Sequence, residues 1–131
     1  MIQVTTTYEV TEFPSSIIWF DEHGILYSIS KKVNQQQIEE TKQVIEFIKQ
    51  HSKNEKICML IDVTHAGETT REVREYAAAE LPKITKAIAM ISDSIMGKMV
   101  ANLFFNLKFQ PYPVKMFNDE KAAIKWLMEK L

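Results

Sequence analysis

Polar and apolar residues alternate without a break over residues 2–10, with Ile2, Val4, Thr6, Tyr8 and Val10 on one side. A period of two with one polar side predicts a strand wet on one face and paired antiparallel near a sheet edge. Two more apolar runs follow Pro14, at 17–20 and 25–29, separated by Asp21-Glu22-His23-Gly24. Gly24 can take a positive φ at no steric cost, so the pair predicts a hairpin with His23 solvated in its turn. Residues 56–64 read Lys-Ile-Cys-Met-Leu-Ile-Asp-Val-Thr, an apolar run that turns polar at Asp62. Such a run predicts a strand buried on both faces. It leaves through His65-Ala66-Gly67-Glu68 toward Thr69 and Thr70. Ligands in α/β sheets usually bind at the carboxyl end of a central strand, which makes this loop the expected functional region.

Helical spacing fills the gaps between strands. Ile38, Val44, Ile45, Phe47 and Ile48, with Thr41 on the same side, predict a helix capped by Asn34, with Gln37 completing a capping box. Val73, Ala77 and Leu81 predict a second helix, with Thr69 as cap, Glu72 as its capping-box partner and Pro82 as the stop. A short apolar strand at 87–91 leads to Asp93 or Ser94 as the cap of a third helix, 95–107. Lys98, Asn102 and Asn106 form its one polar stripe; the rest is apolar, including Met96, Met99, Leu103 and Phe104. A linker with Tyr112 between two prolines reaches a last strand, 114–117. The final helix is expected to be capped by Asn118, with Ala123, Trp126, Leu127 and Leu131 facing inward. The order β-β-β-α-β-α-β-α-β-α predicts an α/β fold with a mixed sheet covered by about four helices. The sheet opens as an antiparallel meander and continues in βα units.

Composition narrows the class. A chain of 131 residues, 46% apolar and 25% charged, is expected to form a single domain over 1–131 without covalent staples. Its net charge of −1 gives no field for nucleic acid or an anionic membrane surface. Cys58 is the single cysteine and lies inside the apolar run, so a buried thiol in a reducing compartment is expected. The first residues do not read as a signal peptide, and no run is long enough for a transmembrane helix. The expected location is the cytoplasm.

The strand at 57–64, set between short βαβ-type units, resembles the central strand of the STAS superfamily, the fold of anti-sigma factor antagonists. The Met-rich third helix and the Pro-x-Pro linker add to the likeness, as does Phe117-Asn118-Asp119-Glu120 leading to Ala123 and Trp126-Leu127. Together they are similar to bacterial STAS-like proteins of unassigned function. The resemblance implies a regulatory module that binds a protein partner, with no catalysis of its own. In the antagonists, a serine following an aspartate at the start of the helix after the central strand is phosphorylated by a partner kinase. Here that stretch is Glu68-Thr69-Thr70-Arg71, a departure from Asp-Ser, and Thr69 and Thr70 stand as the candidate acceptors. Lipid-binding and transporter-regulatory relatives of the fold imply an alternative, a carrier or sensor of an apolar or lipid-like small ligand.

Individual residues sharpen these expectations. Arg71 and Arg74 are the only arginines among sixteen basic residues and lie three apart on one helix face. Their planar forks suit phosphate or carboxylate, although Arg71 also has Glu75 at ion-pair spacing. Asp62, His65 and Asp93 fall near the carboxyl ends of neighbouring strands, where two carboxylates and an imidazole suit a divalent ion or acid–base work, or else loop and cap hydrogen bonds. Asp62 and His65 also stand with Arg71 and Arg74 as candidate partner or anion binders. No phosphate-cradling glycine loop and no nucleophile elbow is present, so no catalytic residue, metal ligand or cofactor is assigned. The wide apolar surface of Met96, Met99, Leu103 and Phe104, with Tyr112, suits core packing, a homodimer contact or an apolar ligand.

Overall fold

Residues 2–105 and 110–131 are described in a computed structural model, with the side chains of Val100 and residues 103–105 excepted. Six strands form one sheet whose spatial order follows the chain. They are β1 Val10–Phe13, β2 Ser16–Phe20, β3 Leu26–Ser30, β4 Ile57–Asp62, β5 Thr85–Ile91 and β6 Val114–Phe117. Strands β1 to β3 pair antiparallel and β3 to β6 parallel, the mixed sheet expected from the element order. The helices are α1 Ile38–Ser52, α2 Arg71–Glu80, α3 Ile95–Phe105 and α4 Glu120–Met128, with a 3-10 turn at Leu81–Lys83.

This strand order decides where the helices lie. Right-handed crossovers between parallel strands advancing in one direction all land on the same side of the sheet. Accordingly α1, α2 and α3 share one face, and α4, which follows the last strand, covers the other. The pleat of β4 feeds both cores: Cys58 and Leu60 pack toward α4, Met59 toward the three helices. On the α4 face Leu60, Ala87, Ala89, Ala123 and Leu127 are fully buried. Burial also pushes the Cys58 thiol pKa up. On the opposite face, Lys49 of α1 and Lys83 grip Glu80 at 2.6 and 2.8 Å, which holds that carboxyl down to about 2.

Several local expectations are corrected. Residues 2–9 form no strand: Ile2 is buried but Val4 is exposed, so the alternation does not face one core. The segment instead crosses the α4 face, where Ile2 and Tyr8 join the core. Asn34 does not cap α1. Residues 34–36 run extended against Glu68, exchanging two backbone hydrogen bonds with it, and the helix starts after Gln37 without a side-chain cap. Thr70, not Thr69, caps α2 by accepting from the Val73 amide at 3.1 Å, which leaves Glu72 out of capping-box position. Asp119, not Asn118, caps α4, and Leu131 is exposed rather than inward. For α2 and α4, two neighbouring residues could both cap. The end of the expected 95–107 helix lies outside the described residues.

Candidate functional site

The loop after β4 begins with an acid that faces inward. Asp62 is completely buried, and its two oxygens accept from the amides of Ile2 at 2.8 Å and Thr64 at 2.9 Å. It ties the N-terminal segment and the loop start to the sheet, and it is not part of an exposed binding surface. From there the loop is pinned on both sides. The Thr64 hydroxyl accepts from the Asp93 amide, and the Ser94 hydroxyl donates to the Thr64 carbonyl. The His65 amide donates to the Ser30 hydroxyl at 2.9 Å, while the His65 side chain stands outside. Gly67 is held against Val33, whose carbonyl oxygen would lie 2.7 Å from an added Cβ. A larger residue there would push the loop off the sheet.

The loop then delivers the two threonines to different tasks. Thr70 is spent on the helix cap. Thr69 faces Arg74, whose guanidinium donates to its carbonyl at 2.7 Å and to its hydroxyl at 3.1 Å. Arg71 points into solvent and pairs with Glu75 at 2.7 Å, as the four-residue spacing allowed. The candidate residues therefore divide: Thr69 and Arg74 touch, His65 and Arg71 are exposed nearby, and Asp62 and Thr70 are structural.

Helix α3 starts at this same edge. The Ser94 hydroxyl accepts from the Gly97 amide at 2.9 Å, and Gly97 lies so close that a Cβ would run into the Val63 carbonyl. With that inner side pressed on the loop, the outer side is left open: Ile95, Met96 and Met99 are 79, 68 and 61% exposed. Ile95, one residue past the Ser94 cap, joins the two methionines expected on this surface. The side chains of Leu103 and Phe104 lie outside the described residues. Tyr112 is not a surface wall. It packs into the three-helix core, and burial pushes its hydroxyl up to about 12. Among the described residues no three His, Cys, Asp or Glu side chains gather closely enough to hold a metal ion. Nor is any helix among them long and apolar enough to cross a membrane.

The six-strand mixed sheet with three helices on one face and one on the other is a STAS-like fold. A crystal structure of an uncharacterised DUF3478-family protein from Shewanella loihica PV-4, described as having a SpoIIAA-like fold, superposes with a TM-score of 0.55. It is 18% identical over 97% of this chain and 99% of that one, which bears on the fold alone. The chain belongs to the family described as DUF7793, a domain of unknown function, whose pattern it matches over residues 18–131. A protein of unknown function from Arthrobacter sp. FB24 is 21% identical over 85% of this chain and 97% of that one, at a TM-score of 0.32. No curated protein matches.

Proposed function

We propose that this domain is a non-catalytic regulatory module that binds a protein partner through the edge formed by the 62–70 loop and the first turns of α3. The observation that carries the reading is the exposed trio Ile95, Met96 and Met99, set beside a loop with His65 and Arg71 exposed. Contiguous apolar surface rimmed by polar groups is characteristic of interaction sites, and methionine and arginine are enriched there. Thr69 supplies the point of control. A phosphoryl group on its hydroxyl would meet the Arg74 guanidinium already 3.1 Å away, and would alter charge and shape at the centre of the edge.

Affinity capture from the native cells tests this, with the tagged wild type compared against Met99→Lys and Thr69→Glu. The expected result is a protein retained by the wild type, lost from Met99→Lys and changed in recovery with Thr69→Glu. Identical captures by all three proteins would contradict the assignment. Size-exclusion chromatography with light scattering at several concentrations shows whether that partner is a second copy of the chain. A ligand-binding role is favoured by a different observation, a partly open cavity beneath α1 rather than the outer side of α3.

A further inference from the structure

Between α1 and the sheet lies a partly open cavity of about 180 Å³. Its walls are mostly apolar, with Ile18, Leu26, Ile45, Ile48, Met59 and Ile61. Toward the carboxyl end of β3 polar residues join them: Ser16, Ser28, Ser30, Gln36 and Glu40. Strand register places these together. Leu26, Ser28 and Ser30 point to the same face of β3, and Ser28 and Ser30 lie opposite Ile18 and Ser16 of β2. The first turn of α1, with Glu40, closes over the same carboxyl end of β3.

The polar end is only partly satisfied from within. Glu40 accepts from the amide and hydroxyl of Ser15, both through Oε1, at 2.7 and 2.6 Å. Among the described residues its Oε2, the hydroxyls of Ser16 and Ser28, and the Gln36 side-chain amide find no protein partner. Ser16 and Ser28 are half-buried and their hydroxyls are not sealed from solvent, so this part of the cavity can take water or a hydrogen-bonding head group. A void of this size is also a defect in a packed interior, since a cavity of about 150 Å³ already accommodates benzene. Glu40 is the one charged group among the lining residues, and no cation accompanies it. An anionic head group would therefore face a carboxylate without a counter-charge.

We infer that this cavity is a binding site for a small amphiphile with a hydrogen-bond-donating head, an alcohol or an amine, whose apolar body lies between Ile45 and Met59 while its head meets Glu40 and Ser28. The site does not depend on the partner-binding reading, although it shares an edge with it: Ser30 receives the His65 amide, and Gln36 donates its amide to the Glu68 carbonyl. An occupant at the polar end thus adjoins two anchors of the 62–70 loop.

Titration of the ¹⁵N-labelled full chain, followed by amide NMR, tests the site with three probes of one shape: 2-phenylethanol, phenethylamine and phenylacetate. The alcohol and the amine are expected to shift the amides of Ser28, Ser30, Glu40 and Ile61 saturably, with Kd on the order of 1 mM or tighter. Phenylacetate is expected to bind roughly tenfold more weakly or not at all. Ser28→Val, which fills space and removes the hydroxyl, should weaken the alcohol about tenfold in a protein that remains folded. Glu40→Gln should weaken the amine more than the alcohol. No saturable shift with either donor probe would mean the cavity holds water only and would overturn the inference. Equal binding of phenylacetate, or shifts confined to the outer side of α3, would overturn it as well.

Discussion

The two faces of the sheet are built to different standards. On the α4 face one helix and the N-terminal segment close a core in which Leu60, Ala87, Ala89 and Leu127 have no exposed surface. Its buried carboxylate, Asp62, spends both oxygens on backbone amides. On the other face three helices leave a cavity of about 180 Å³, two strand serines whose hydroxyls have no partner among the described residues, and three exposed apolar residues at the start of α3. Both faces draw on the same β-strands, whose pleat puts Ser16, Ser28 and Ser30 on one side and Leu60, Ala87 and Ala89 on the other. The helices add a second difference: α4 completes the domain, while α1 and α3 hold surfaces open that folding alone would close.

Core truncation should separate the two faces most strongly. Leu127→Ala on the closed face is expected to cost about 3 kcal/mol, whereas Ile45→Ala, beside an existing void with fewer atoms to lose, should cost about 2 kcal/mol. Urea unfolding measures both, and the reverse order would remove the distinction between the faces. Gly97→Ala should follow at about 2 kcal/mol, because the new methyl forces α3 away from the Val63 carbonyl. Amide shifts confined to 63–66 and α3 would accompany it.

Thr70→Ala should cost about 1 kcal/mol through loss of the α2 cap, and Thr69→Ala about half that, since the Arg74 bond to the Thr69 carbonyl survives. Equal costs would mean the two threonines do not divide the roles of helix cap and Arg74 partner. The smallest effect concerns the clamp between α1 and α2. Glu80 is held down to about 2, first by Lys49 and then by Lys83. A depressed carboxyl stabilises fully above the unfolded glutamate pKa of about 4.3 and loses that contribution as pH falls through about 2. The stability difference between wild type and Glu80→Gln should therefore be flat at neutral pH and vanish in strong acid, as read by acid-dependent urea midpoints.

How much of this was legible in the sequence depends on how local the cause is. The apolar run through Cys58 and Leu60 is buried by its own pattern, and the βα units set strand direction and helix side through chirality. The caps of α2 and α4 were legible to within one residue, whereas Asn34 lies three residues before the uncapped start of α1. Thr69 and Thr70, or Asn118 and Asp119, have equivalent capping chemistry, so pattern alone does not separate them. The alternation at 2–9 pointed to a strand, but its amide partner at Ile2 is the Asp62 carboxylate, sixty residues away. The cavity was not legible at all. Ser28 and Ser30 are unremarkable on a strand until α1 is known to lie over them, and an unfilled space has no residue to mark it.

Xenon binding to the native protein, read by amide chemical shifts under xenon pressure, tests the asymmetry most directly, because xenon enters apolar voids and reports them without selecting for head-group chemistry. The two-face account predicts saturable shifts at Ile18, Leu26, Ile45 and Met59 beneath α1, and none at Leu60, Ala89 or Leu127 beneath α4. Shifts beneath α4, or none on either face, would contradict it.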